Sequence, residues 1–272
     1  MKKVTFDKKP TNFFLMLGFC KKFNYDPFNL LQQAVEQNVL FDKNQGLLLN
    51  FINFIKNKDI KSQLFQEMFA SFIIENNYQK TFLEFGATDG VRFSNSYILE
   101  KNENWTGILG EPNIDWHKDL KINRPNTKII KECIWSESNV EIDFFASDIK
   151  EFSTISSFVE SDKLSMPINT KERTASGRSV KLRTISLNDL IKRDFDSKAP
   201  SYISIDTEGS EYEILNAFDF NKYRSIVFTV EHNYTSMESK LDKLMLKNNY
   251  LRMFEKLTAF DAWYVAKEAI NI

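Results

Sequence analysis

FLEFGATDGVRFSNSYILEKNENWTGILGEPN, residues 82–113, decides how the rest of the chain is read. The apolar run 81–85 has the length and composition of a strand. Gly86 and Gly90 follow it, and an amphipathic segment starts at Ser94. A second apolar run, 107–110, ends on Glu111 and Pro112. Strand, glycine turn, helix and strand in this order form the repeating unit of a parallel sheet. Glycine in the first turn lets the backbone bend tightly and lets a ligand approach the main chain. Ligands of open α/β sheets sit at the carboxyl ends of the strands, so this turn is the natural floor of a cofactor site.

Glu111 narrows the choice of cofactor. It ends the second strand, 21 residues after Gly90, where a carboxylate can accept both ribose hydroxyls of an adenosine. Pro112 then stops the strand. A dinucleotide pyrophosphate wants three glycines at a helix N-terminus, whereas this loop has two and carries Asp89 beside the phosphate position. Glu84, Asp89, Glu111 and Asp206 suit a cationic cofactor instead. S-adenosylmethionine, with a sulfonium and an ammonium against one carboxylate, is such a molecule.

Working outward, short apolar runs keep alternating with amphipathic segments. Residues 128–135, 202–205 and 225–230 read as strands, and 140–145 alternates as an exposed-edge strand does. Helices are predicted over 114–122, 187–191, 211–218 and 236–248. Residues 251–260 and 262–267 form a terminal antiparallel hairpin. The polar stretch 161–178, with Pro167 and Gly177, reads as a loop. Upstream, residues 1–58 read as a helical extension with apolar clusters at 28–31 and 47–54, followed by an amphipathic stretch over 60–77. The division expected is an extension, 1–58, and a cofactor-binding domain, 59–272.

Composition excludes several classes. Apolar residues make up 42% of the 272, 25 of them Phe, enough for a sizeable core. A net charge of −1 gives no reason to expect a nucleic acid or a bulk membrane surface as partner. Two cysteines, Cys20 and Cys133, with no CxxC pair, argue against a disulfide scaffold or a zinc site and fit a reducing, cytoplasmic setting. The apolar run 13–20 is far shorter than the ~20 residues of a membrane span. Phe19 is too bulky to precede a cleavage site or a lipidated cysteine, so the run is expected to be a buried helix.

A second acidic motif, SIDTEGSEYEIL at 204–215, leaves a buried strand and enters a helix. Asp206 and Glu208 lie at the strand's carboxyl end, where a methyl donor and acceptor should meet. Ser210 with Glu213 has the capping-box pattern, and Glu211 in the first turn favours the helix dipole. Glu231-His232-Asn233 ends the next strand and brings His232 to the same rim as a candidate base. His117 falls on a surface helix and carries no expected role. Asp206, Glu208 and Glu231 together could supply oxygen ligands to a divalent cation such as Mg2+.

At these motifs the chain resembles the FkbM-type methyltransferases. Residues 82–113 look like the opening of that family, and 202–215 are similar to its aspartate–x–glutamate–glycine–x–glutamate signature. Residues 153–157 resemble its serine-rich segment and 180–191 its strand–helix lead-in, so the likeness covers about residues 60–265. The loop departs from the family pattern in reading GATDG where many members carry an asparagine. The resemblance implies a Rossmann-like α/β fold, here a seven-stranded, mostly parallel sheet with a C-terminal antiparallel hairpin. It also implies S-adenosylmethionine-dependent methyl transfer to a hydroxyl of a sugar, glycan or small metabolite. The cofactor-binding residues expected are Glu84, Gly86, Ala87, Asp89, Gly90, Asn95, Glu111 and Asp206. The catalytic ones are Asp206, His232 and Glu208, and the metal ligands Asp206, Glu208 and Glu231. Rival readings are a Rossmann-like scaffold without turnover and a nicotinamide oxidoreductase, the latter disfavoured by the missing third glycine. Lys171, Arg173, Arg178, Lys181 and Arg183 lie close together, so a basic lid over an anionic acceptor is a further expectation. Homo-oligomerisation is left open.

Overall fold

The computed structural model describes residues 26–37, 43–75 and 77–270. Helices α1 (Pro27–Glu36), α2 (Gln45–Ile55) and α3 (Gln66–Ile74) precede the first strand, β1 (Thr81–Phe85). Then come α4 (Tyr97–Glu103), β2 (Thr106–Gly110), α5 (His117–Asn123), β3 (Lys128–Ile130), β4 (Cys133–Trp135), β5 (Glu141–Ser147) and β6 (Thr154–Ile155). The chain continues through α6 (Pro167–Ala175), β7 (Gly177–Ser186), α7 (Leu187–Asp194), β8 (Tyr202–Ile205) and α8 (Glu211–Asn216). It ends with β9 (Val227–Glu231), α9 (Met237–Lys247), β10 (Tyr250–Met253) and β11 (Asp261–Ala266).

The larger sheet has the order β10-β11-β9-β8-β1-β2-β3. From β9 to β3 every neighbour pair is parallel, and β11 runs antiparallel between β9 and β10. β8 and β9 are buried at every position, because helices cover both faces of the parallel part. A second sheet, β4-β7-β5-β6, stands beside the first. The fold is thus α/β with mixed sheets, and the expected single sheet of seven strands is corrected to eleven strands in two sheets among the described residues.

Three local expectations change for identifiable reasons. Residues 128–135 are two strands, one in each sheet, so this short segment joins them. The strand predicted at 140–145 is not at an edge. β5 lies between β6 and β7, and its register with β7 runs from Glu141 opposite Arg183 to Ser147 opposite Gly177. Its alternation records burial on one face, where Phe144 and Ala146 pack with Cys133 and Ile155. The predicted loop 161–178 contains α6, which has Pro in its first turn. That helix escapes hydrophobic periodicity because its buried residues are Thr170 and Arg173.

The described part of the N-terminal extension belongs to the main core. Leu30, Leu31, Ala34 and Val35 of α1 and Leu48, Phe51, Ile52 and Ile55 of α2 share one apolar cluster with α3, Phe82, Leu109 and Trp263. Phe51 stacks on Phe254 at 5.5 Å, and Phe69 on Trp263 at 4.6 Å. Each such buried side chain contributes about 1.5–3 kcal/mol. The expected helix at 13–20 lies outside the described residues. Among the described residues no helix is long and apolar enough to cross a membrane.

Candidate active site

The turn after β1 is shaped by its own backbone and by the strand beside it. Gly86 has φ +75°, and a Cβ there would overlap the carbonyl oxygen of Asp206 at the end of β8. The amides of Gly86 and Ala87 donate to Gly110 O at 3.1 and 3.2 Å, joining the ends of β1 and β2. Gly90, at φ +78°, leaves no room for a Cβ beside Leu120 and Arg124 of the α5 region.

Several residues expected to touch a cofactor hold this turn together. Glu84 is buried and accepts from Ser94 Oγ at 3.0 Å, Asn95 N at 2.7 Å and Ser96 Oγ. Burial raises its carboxyl, and the Arg124 charge opposes that rise. Asp89 Oδ1 accepts from Val91 N and Arg92 N, an Asx turn that leads into the next segment. Ala87 is fully buried in the core. Glu84 and Asp89 thus build the loop, with Ala87 packed beneath it and Gly90 leaving room for Leu120 and Arg124. Arg124, which carried no expectation, is 1% exposed and donates to Gly90 O at 3.0 Å and to Glu100 Oε2. Nothing local marks it, since its partners lie 24 to 34 residues earlier.

Two cavities open at the carboxyl ends of the central strands. The first is narrow, about 40 Å3, and runs past Gly86, Gly110, Glu111, Cys133, Ile134 and Asp206. Glu111 Oε2 accepts from Thr88 N at 2.9 Å and Oε1 from Asn113 N at 2.8 Å. Burial still pushes its carboxyl up to about 7, against the lowering effect of those two amides. His117 Nε2 lies 2.7 Å from Glu111 O, so this histidine pins the main chain of the acid rather than standing idle on a surface helix. The serine-rich segment closes the other side, where Asn113 Nδ2 donates to Ser153 Oγ at 3.0 Å. The Cys133 thiol is raised to about 12, first by burial and then by the Glu111 charge.

The second cavity, about 430 Å3, shares Gly86 and Asp206 with the first. Asn95, Glu208, Glu231, Asn233, Phe93 and Phe260 also line it. Asn95 Nδ2 donates to Ser204 Oγ at 2.9 Å, while its Oδ1 is buried without a hydrogen-bond partner. Ligand oxygens of Asp206, Glu208 and Glu231 all lie within 4.8 Å of one another. Burial raises all three carboxyls. Neighbouring acids raise Asp206 and Glu231 further, and Arg173 opposes the rise at Glu208, which stands at about 7.

This end of the cleft is held under backbone strain. Glu208, Asn233 and Tyr234 all have positive φ, at 59°, 46° and 54°. Glu211 Oε1 accepts from Thr207 N and Gly209 N and so fixes the turn around Glu208. Thr154 Oγ1 of β6 donates to the carbonyls of Thr207 and Glu208 from the other side. The expected capping box does not form, because Ser210 Oγ donates to Thr207 Oγ1 and makes no cap bond.

Arg173 is the residue that sequence reasoning misplaced most. It is fully buried and pairs through Nη1 with Asp162 Oδ1 at 2.8 Å and through Nη2 with Glu208 Oε2 at 2.5 Å. Arg178 pairs with Asp115 at 2.8 Å and Lys181 with Asp143 at 2.9 Å. The expected basic lid is thus corrected, since its central charge is an internal strut and two others are neutralised on the surface. His232 is also engaged by neighbours on both ring nitrogens. Its Nδ1 accepts from Tyr234 N at 3.1 Å, and its Nε2 faces Arg252 and Glu238.

The class defined by this geometry is an α/β protein whose ligand cleft crosses the carboxyl ends of parallel strands. A family model, that of the methyltransferase FkbM domain, matches residues 84–257, well over half of the chain. The chain belongs to the FkbM methyltransferase family, and its chemistry is methyl transfer. Among solved structures, precorrin-6y C5,15-methyltransferase from Geobacter metallireducens GS-15 is 11% identical over 72% of this chain and 76% of that one. Its TM-score of 0.36 is too low to support anything further. No curated protein matches.

Proposed function

We propose that this chain transfers a methyl group from S-adenosylmethionine to a hydroxyl of a small molecule or carbohydrate. The observation that carries this reading is the junction of the two cavities at Gly86 and Asp206. A donor lying across that junction has its nucleoside against Glu111 and its amino-acid end toward Asn95. The Glu111 carboxylate accepts ribose hydroxyls. The unpartnered Asn95 Oδ1 is an acceptor suited to the donor's ammonium group. Gly86 leaves the main chain bare at the junction. The first cavity is narrower than ordinary ligand pockets of roughly 300 Å3 and more, so binding includes widening it.

When bound, the cofactor supplies an electrophilic methyl on a cationic sulfur. The protein's part is to align an acceptor oxygen in the larger cavity with that methyl. Asp206, Glu208 and Glu231 place negative charge where the acceptor hydroxyl must lose its proton. A reducing compartment suits the buried free thiol of Cys133. The test is release of the demethylated donor during incubation with sugar nucleotides, glycans and hydroxylated metabolites, alongside calorimetric donor binding. Failure to bind the donor would remove this reading. Binding without turnover of any acceptor would reduce the chain to a donor-binding protein.

A further inference from the structure

We propose that Asp206, Glu208 and Glu231 form a binding site for one divalent, oxygen-seeking cation of the Mg2+, Mn2+ or Ca2+ kind. The three acids come from the ends of β8 and β9 and converge on the larger cavity. Their ligand oxygens lie within 4.8 Å of one another. Oxygens opposed across one ion stand roughly 4.2 Å apart at Mg2+ distances and about 4.8 Å apart at Ca2+ distances. The cluster therefore needs little or no closing to share an ion.

A second observation points to an occupant. Glu231 is only 8% exposed, and its Oε2 is buried with no hydrogen-bond partner. Buried polar atoms of folded proteins are nearly always paired, and an uncompensated buried charge is costly. Glu208 contributes a free oxygen as well. Its bonds from Arg173 and Asn233 both fall on Oε2, which leaves Oε1 for a ligand.

The local charge favours a dication. Arg173 is shared between Glu208 and Asp162, so its single charge offsets only one of the two. When ionised, the three carboxylates are uncompensated in a partly desolvated site, where their mutual repulsion is strong. A dication leaves a net charge of −1, which still attracts the sulfonium of a donor. The cavity also has room for the water that such ions retain, at about 430 Å3. The role of the ion rests on the methyl-transfer reading. It polarises the acceptor hydroxyl, whose proton leaves to solvent water. The oxygen then bonds to the methyl carbon as the S–CH3 bond breaks and its electron pair returns to sulfur. The competing occupant is a proton shared between Asp206 and Glu231.

The test is to strip the full-length protein with EDTA and titrate it with Mn2+ alone, reading bound ion by electron paramagnetic resonance. One Mn2+ per chain, displaced by Mg2+ or Ca2+, is expected. Glu231→Gln and Asp206→Asn, each checked for a native-like circular dichroism spectrum, should weaken Mn2+ at least tenfold. Asp143→Asn, on the second sheet, should leave it unchanged. Absence of a bound Mn2+, or equal affinity in both cluster variants and wild type, would overturn the site. Donor affinity measured in EDTA separates this from the reading it rests on. Donor binding without a metal site leaves methyl transfer standing and removes the cation. Metal binding without donor binding does the reverse.

Discussion

The Glu111 end of the cleft and the Asp206 end are built on different length scales. Glu111 is held by amides 2 and 23 residues away, all within the stretch that opens the domain. Glu208 is held by Arg173, 35 residues away, and by Thr154, 54 residues away. The first end is a property of two consecutive strands and the turn between them. The second exists only when α6 and the small sheet have docked against the large one. The bonds that hold the acid at one end are thus local while those at the other are tertiary, and the two ends should respond differently to substitution.

Gly86 is where the two ends touch, so its loss should have the largest effect. Gly86→Val places a Cβ against Asp206 O at a backbone angle that disfavours side chains. Strain and overpacking together should cost roughly 2–6 kcal/mol. Chemical denaturation should show that loss, and calorimetry should show no donor binding. A stable variant that binds the donor normally would mean that the two ends are not mechanically joined.

Arg173→Met tests the long-range end alone. It leaves Asp162 and Glu208 buried without their shared cation, and breaking such a pair costs about 3–5 kcal/mol. The midpoint of urea unfolding should fall accordingly, while donor affinity of the folded fraction stays close to wild type. An equal fall in donor affinity would erase the distinction between the ends.

Glu111 tests the local end alone. Two charge-assisted hydrogen bonds, each about 1.5–3 kcal/mol, should be lost in Glu111→Ala, and donor affinity should drop at least about tenfold. The effect depends on pH. Burial holds the Glu111 carboxyl at about 7, above the usual 4.5, so the folded protein keeps this proton more tightly than the unfolded chain. Its contribution to stability is full below 4.5 and fades as pH rises through about 7. Ribose hydroxyls need the ionised acceptor, so donor affinity should strengthen over the same rise. Calorimetry from pH 5.5 to 8.5 should show that trend in wild type, and a shallower one in Glu111→Gln, where Glu208 at about 7 still titrates. A flat wild-type profile would count against the contact.

The smallest change is expected from Arg178→Gln. Its partner Asp115 and its own half-exposed guanidinium form a surface pair worth ~0–1 kcal/mol. Acceptor Michaelis constants at low and high salt should match wild type. A salt-dependent rise would restore a basic acceptor surface.

Much of the larger sheet was legible because its strands are short apolar runs set off by turn residues, as in Thr81–Phe85 and Tyr202–Ile205. The small sheet was not. Its β5 alternates whether it lies at an edge or in the middle, and α6 buries Thr170 and Arg173 instead of an apolar stripe. At the site, Gly86, Asn95, Glu111 and Asp206 line the cavities as their motif positions suggest. Glu84 and Asp89 have the right type and spacing for ligand contact, yet their oxygens accept from neighbouring amides and hydroxyls. Residue type and spacing place a carboxylate near a site without saying which donors reach it first.

By itself, the sequence determined the α/β alternation, the glycine turn, the acid at the end of β2 and the family, because each is a periodicity or a spacing within a few dozen residues. Tertiary structure alone decided that Arg173 is an internal strut, that His117 holds Glu111 and that His232 turns to Arg252 and Glu238. It also left an oxygen of Glu231 unpaired where Asp206, Glu208 and Glu231 meet. The physical reason is that a buried charge is defined by its partners, and most of these partners come from distant segments brought together by packing.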